Sequence, residues 1–150
     1  MYETFTRILV TTDFSETGDR AIGHAFRMAA DHGAEVLLCH VLEAIVTPNP
    51  LYAHYYLSTM FDPKMREQAE TSAREALLQR VPPGDLARVA HRTLVVHGQP
   101  VEEIDRNARE QQVDLIVISA HGHTGLRHLL LGSVVERVIR RAPCPVFIVR

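Results

Sequence analysis

Two hydrophobic patterns alternate along the chain. Short apolar runs stand at Arg7–Thr12 (RILVTT), Glu35–Leu42 (EVLLCHVL), Ala90–His97 (AHRTLVVH), Leu115–Ser119 (LIVIS) and Pro145–Val149 (PVFIV). Runs of that length predict strands, buried ones at Glu35–Leu42 and Leu115–Ser119 and a weaker one at Ala90–His97. The segments between them carry the helical period instead. Ala21, Ile22, Ala25, Phe26 and Ala29 make one stripe of a helix that starts at Asp13-Phe14-Ser15-Glu16, continues to about Asp31 and stops at Gly33. Asp13 and Glu16 have the spacing of a capping box, and Gly33 suits a left-handed stop. Met65, Ala69, Ala73, Ala76 and Leu77 mark a second stripe from Pro63 to Arg80, with Glu70 and Arg74 spaced as an i,i+4 ion pair, and Pro82-Pro83-Gly84 ends it.

A third helix is expected from Pro100 to about Gln111, where Glu102, Glu103 and Asp105 suit the positive end of the dipole. A fourth opens at Gly132-Ser133, carries Val134, Val135, Val138 and Ile139 on one face, and stops at Ala142-Pro143. Strands alternating with helices predict a single α/β domain, an open parallel sheet with right-handed crossovers. His91 and Arg92 near the start of the third strand place that strand at a sheet edge. One stretch fits neither template. Glu43 to Asp62, with Pro48, Pro50, Tyr52, Tyr55, Tyr56 and Phe61, reads as an aromatic-rich insertion, and insertions of that length serve as lids, binding loops or mobile segments.

Composition narrows the function classes. A net charge of −2 with His neutral gives no basic surface for nucleic acid and no field for a membrane. No apolar run approaches the ~18–20 residues of a membrane-crossing helix, and Glu3, Arg7 and Asp13 interrupt any signal-peptide core. A cytoplasmic protein is the expectation. Cys39 and Cys144 sit in apolar runs without metal-ligand spacing, so reduced, buried thiols are expected. Lys64 is the only lysine, which counts against a P-loop.

The candidate chemistry centres on Asp114 to Arg141, DLIVISAHGHTGLRHLLLGSVVERVIRR. A buried strand runs into a loop carrying Gly122 and Gly125, and Gly132-Ser133 then opens a helix. Glycines let a ligand approach the backbone, and the first amides of a helix lack partners within it, so the stretch reads as a phosphate cradle. In open α/β sheets ligands settle where the strand order reverses, at the strands' carboxyl ends. If the first and fourth strands are neighbours there, Asp13 faces the glycine loop. It would then hold a ribose hydroxyl or a metal-bound water, or else cap its own helix.

Ser119-x-x-Gly122, nine residues, then Gly132-Ser133 resembles the nucleotide signature of the universal stress protein family, which reads Gly-x-x-Gly, nine residues, Gly-Ser or Gly-Thr in ATP-binding members. ILVTTDFSE near the start and HGHTGLRHLLLGSVVERVIRRAPCPVFIV at the end resemble that family too, and the likeness covers essentially all 150 residues. It implies a Rossmann-like adenine-nucleotide-binding fold with five parallel strands in the order 3-2-1-4-5 and helices on both faces. It implies Asp13, beside Thr11 and Thr12, near the ribose and the Val41 backbone near the adenine. Ile118 and Ser119 would lie at the mouth of the fourth strand, with His121 and His123 in the loop, and Gly122, Gly132, Ser133 and Val134 around the phosphates. Ser119 departs from the signature's first glycine. If that position needs a positive φ or very close backbone approach, serine costs affinity; if it is only tight, serine fits. Ser133 and Glu136 also have capping-box spacing, which would occupy Ser133.

His121 and His123 form an H-x-H pair without a third metal ligand of suitable spacing, and no G-x-S-x-G elbow accompanies them, so neither a zinc site nor a catalytic role is expected. Tyr52, Tyr55 and Tyr56 either cover a ligand, line a partner surface or simply pack. Pro145 to Val149 would leave an apolar edge, and pairing with a symmetry mate there gives a homodimer, as the family resemblance also implies. The resulting expectation is a cytoplasmic dimer that binds ATP, with Mg2+, as a regulatory ligand for an unknown signalling partner, at most hydrolysing it slowly. The alternative is a nucleotide-free dimeric interaction module of the same family.

Overall fold

The computed structural model describes residues 4–43, 62–122 and 131–150. Five parallel strands, β1 (Arg7–Thr11), β2 (Glu35–Leu42), β3 (His91–His97), β4 (Leu115–Ser119) and β5 (Val146–Val149), form one sheet in the order β3-β2-β1-β4-β5. Among the described residues the α-helices are α1 (Glu16–His32), α2 (Pro63–Leu78), α3 (Pro100–Glu110) and α4 (Ser133–Arg141), and a short 3-10 turn occupies Gly84–Arg88. The order reverses between β1 and β4, which pair directly from Ile8 with Leu115 to Val10 with Val117.

Strand alternation sorts the core into two layers. Ile8 and Val10, Val36 and Leu38, and Leu115 and Val117 face α1 and α2, where they meet Ala21, Ile22, Ala25, Phe26, Ala29 and Leu77. Leu9, Leu37, Cys39, Val41, Ile116 and Ile118 face the other way, onto Val101, Ile104 and Ala108 of α3 and Val135 and Val138 of α4. Both cysteines are free thiols; burial, with the nearby Glu103 charge, pushes Cys39 up to about 12. No helix among the described residues is long and apolar enough to cross a membrane.

Polar clamps fix the amino end of the sheet. Asp114, at the entry to β4, accepts from the Thr6 amide (2.8 Å), the Thr6 hydroxyl (2.6 Å) and the Arg7 amide (3.0 Å). Burial raises its carboxyl, but these hydrogen bonds outweigh burial and hold it below the usual aspartate value. Glu35 bridges Arg7 and Arg92, each at 3.0 Å, across three neighbouring strands.

Helix α2 departs from its expected pattern. Ala73 and Leu77 are buried, but Met65 is 50% exposed and Ala69 is exposed as well. Glu70 does not take Arg74 as its partner; it pairs with Arg66 at 3.4 Å and with His97 at 2.7 Å. His97 ends the edge strand β3, whereas Arg80, just past the helix, reaches Asp19 in the first turn of α1 at 2.7 Å. The helix therefore runs from the edge strand inward, and among the described residues its buried positions are Ala73 and Leu77, in its second half. On α4, Ile139 likewise escapes the expected stripe and is exposed.

Candidate functional site

The turn after β1 is built from short polar side chains. Thr11 follows Leu9 in facing the α3 and α4 layer, whereas Thr12 is buried on the α1 side. The Thr12 hydroxyl accepts from the Phe14 amide, and Asp13 Oδ1 accepts from the Ser15 amide, both at 3.0 Å. Ser15, not Asp13, then caps α1, its Oγ accepting from the Gly18 amide at 3.1 Å. The expected Asp13–Glu16 capping box does not form, because Asp13 folds its carboxylate onto the amide two residues ahead. Phe14 takes a φ of 66°, a left-handed conformation that costs a bulky residue on the order of 1–3 kcal/mol. Its ring packs 4.3 Å from the His40 ring and lies 4.7 Å from the Arg80 guanidinium. His40 Nδ1 donates to the Thr12 carbonyl at 2.8 Å.

The other wall comes from β4 and α4. Ser119 is the last strand residue, paired with Val149, and its φ is not positive, so the backbone conformation there does not require glycine. At Gly122 the need is for space: a Cβ would run into Asp13 Oδ2. The Gly132 amide donates to the Ala120 carbonyl at 2.9 Å and ties the far end of the glycine loop to the strand. Gly132, with φ −73° and ψ 158°, is the N-cap of α4, which has no side-chain cap. Ser133 is thus the first helical residue, and the expected Ser133–Glu136 capping box is absent. The amides of Ser133, Val134 and Val135 have no acceptor within the helix.

These two walls enclose a cleft of about 210 Å³ at the carboxyl ends of β1 and β4. Thr11, Thr12, Asp13, Val41, Ile118, Ser119, His121, Gly122, Gly132, Ser133 and Val134 all line it. His123, Gly125 and the tyrosines of the insertion lie outside the described residues. Sequence reasoning missed His40, Glu43, Pro100, Ile104, Ala120 and Val135, which line the same space. Two of these had a signal: Pro100 and Ile104 begin the helix after β3 and so must start at this end of the sheet. Glu43 was hidden in the insertion, although it directly follows β2. Val41, Ile104, Ile118 and Val135 make an apolar floor, all part of the buried layer under α3 and α4. The acids are Asp13 and Glu43, and the described lining contains no lysine or arginine. No cluster able to hold a metal ion by itself occurs among the described residues. The cleft therefore offers an apolar slot, a carboxylate at one rim and helix-start amides at the other.

The model of the universal stress protein family matches residues 4–150. The chain belongs to the universal stress protein family. Among its relatives, universal stress protein YxiE of Bacillus subtilis is 32% identical over 147 residues, spanning 97% of this chain and 99% of that protein. Universal stress protein MJ0577 of Methanocaldococcus jannaschii is 30% identical, spanning 97% of this chain and 95% of its own length. Solved structures agree. The universal stress protein UspA of Lactobacillus plantarum superposes with a TM-score of 0.80 at 25% identity, covering 99% of this chain and 100% of that one. A universal stress protein solved in complex with cAMP gives a TM-score of 0.61 at 25% identity over 99% of this chain and 98% of its own. The five-stranded sheet with its 3-2-1-4-5 order is thus the α/β fold of universal stress proteins.

Proposed function

We propose that this universal stress protein binds an adenine nucleotide, ATP in the first instance, in the cleft between β1 and β4, as a regulatory ligand and not as a substrate for turnover. The observation that carries the reading is the uncapped start of α4 lying across one cleft from Asp13. Helix amides that have no acceptor within their own helix, with the dipole behind them, favour a bound anion, and a carboxylate at the opposite rim suits a ribose hydroxyl. The apolar floor suits a purine ring, and the cAMP-bound relative is a family member of the same fold that holds an adenine nucleotide.

Charge argues for a cation travelling with the ligand. With Asp13 and Glu43 in the lining and no basic side chain described there, a triphosphate gains from Mg2+, which neutralises phosphate charge. Asp13 is the residue placed to meet that ion or its water. The protein functions in the cytoplasm as a homodimer through Pro145–Val149; β5 is the terminal strand of the described sheet and leaves Phe147 39% exposed, which supports pairing along that edge. Its signalling partner is a protein, with no nucleic acid or membrane involved.

A thermal-shift titration with Mg-ATP, ADP, AMP and cAMP tests the reading, since a ligand specific to the native state raises the melting temperature. A concentration-dependent rise supports it. No shift at millimolar nucleotide, together with no nucleotide released on denaturing the freshly purified protein, overturns it in favour of the nucleotide-free interaction module.

A further inference from the structure

Asp13 sits on a turn that its own Thr12 and Asp13 side chains bond together but that carries a strained residue. Phe14, the next residue, is in the left-handed region at φ 66°, and no glycine relieves it. A side chain forced into that conformation stays there only when its surroundings over-determine it. Two residues that sequence reasoning did not associate with the cleft supply those surroundings. His40, from β2, places its ring 4.3 Å from that of Phe14 and donates from Nδ1 to the Thr12 carbonyl at 2.8 Å. Arg80, beyond the end of α2, lays its guanidinium 4.7 Å from the Phe14 ring centre. Arg80 is itself fixed, by Asp19 Oδ1 at 2.7 Å and the Ala76 carbonyl at 3.0 Å, and its side chain is only 26% exposed.

We propose that His40 and Arg80 are positioning residues for the cleft: through Phe14 and the Thr12 carbonyl they hold the turn that presents Asp13 to a ligand. The proposal rests on the nucleotide reading above for its consequence in binding, but the clamp itself is a property of the free protein. Two contacts of different kinds converge on one strained residue, whose ring also packs against the core layer of Phe26 and Leu77. The arrangement also connects the cleft to α2. That helix is tied at Glu70 to the end of β3 and at Arg80 to the turn after β1. A ligand that steadies Asp13 steadies this second tie, and by reciprocity a partner that shifts α2 changes the affinity for the ligand.

The test uses the full chain and Mg-ATP as the probe. Arg80→Met, which removes the cation from the ring, weakens Mg-ATP by about tenfold or more, as does His40→Phe, which keeps a ring but loses the Nδ1 donor. Arg80→Lys, which keeps a cation over Phe14, stays within roughly threefold of wild type. In the ligand-free protein, Arg80→Met also lowers exchange protection of the Phe14 and Ser15 amides, the two held by Thr12 and Asp13, while Val117 in β4 keeps its protection. That contrast separates a local clamp from general loss of stability. Wild-type affinity in both disruptive variants overturns the proposal, and so does undiminished protection at Phe14 and Ser15. If the wild-type protein binds no Mg-ATP, it is the nucleotide reading that fails, and the exchange pattern alone then decides whether the clamp exists.

Discussion

Replacing Gly132 by aspartate should separate binding from folding. Gly132 is the N-cap of α4, with extended backbone that any residue adopts and no side chain serving as cap. Aspartate there accepts from the α4 amides itself; relative to glycine this is worth a few tenths of a kcal/mol as a cap, plus roughly 0.3–1 kcal/mol from the dipole. Against it stands the Ala120 carbonyl, 3.3 Å from the new Cβ, which must yield slightly. The net is near zero or mildly favourable, so the melting temperature should stay level or rise by up to about 2–4 °C. Phosphate binding fares differently, because the new carboxylate occupies the very amides a phosphate would use. At about 4 Å and an effective dielectric of about 20, one such charge pair repels by roughly 4 kcal/mol, or about a thousandfold in Kd. Calorimetric titration with Mg-ATP and a thermal scan on the same sample give both numbers. Wild-type affinity in a folded Gly132→Asp protein would refute the placement of phosphate at α4, and an unfolded variant would refute the N-cap geometry.

Three further outcomes follow from the same structure. Gly122→Ala drives a methyl into Asp13 Oδ2, the movable end of a side chain, so the fold survives at a cost of about 1 kcal/mol for the disturbed turn while Mg-ATP weakens by roughly ten- to a hundredfold; calorimetry showing no loss would mean Asp13 does not touch the ligand. Two glycines of α1 should respond with opposite signs in urea unfolding: Gly23→Ala, with open space around its Cβ, gains about 0.5–1 kcal/mol, whereas Gly18→Ala meets Thr12 Oγ1 at 2.5 Å and loses about 1–3 kcal/mol. Asp114→Asn replaces a carboxylate that holds three donors and should cost about 2 kcal/mol at neutral pH, read as about 4–8 °C in melting temperature. Because the folded carboxyl lies below its unfolded value, that advantage is complete above about pH 4 and disappears as the pH falls through the depressed value, so wild type and Asp114→Asn converge in acid.

The three central strands were legible because burial on both faces leaves a continuous apolar run, and the α1 stripe because all five of its residues are in the core. The cleft was legible for a related reason, since strand ends at a reversal of order are fixed by topology once β1 and β4 are known to be neighbours. Helix starts were harder. Asp13, Ser15 and Glu16 satisfy more than one capping rule, and which side chain caps depends on the tight approach of Gly18 to Thr12, a contact without any sequence signature. The stripe on α2 misled at Met65 and Ala69 because periodicity reports a helix's amphipathic face but not where the sheet beneath it ends. His40 and Arg80 were not legible as site residues because only the folded chain brings them together at Phe14.

In the proposed binding mode the start of α4 and the turn after β1 close on one adenine nucleotide. Titrating isotopically labelled protein with Mg-ATP and following backbone amide resonances tests it most directly. Saturable shifts are expected at Asp13, Gly122, Ser133 and Val134, with Val41 responding to the base and the amino end of the sheet around Asp114 unmoved. Saturable binding whose shifts fall elsewhere, or spectra that do not change at millimolar Mg-ATP, would contradict it.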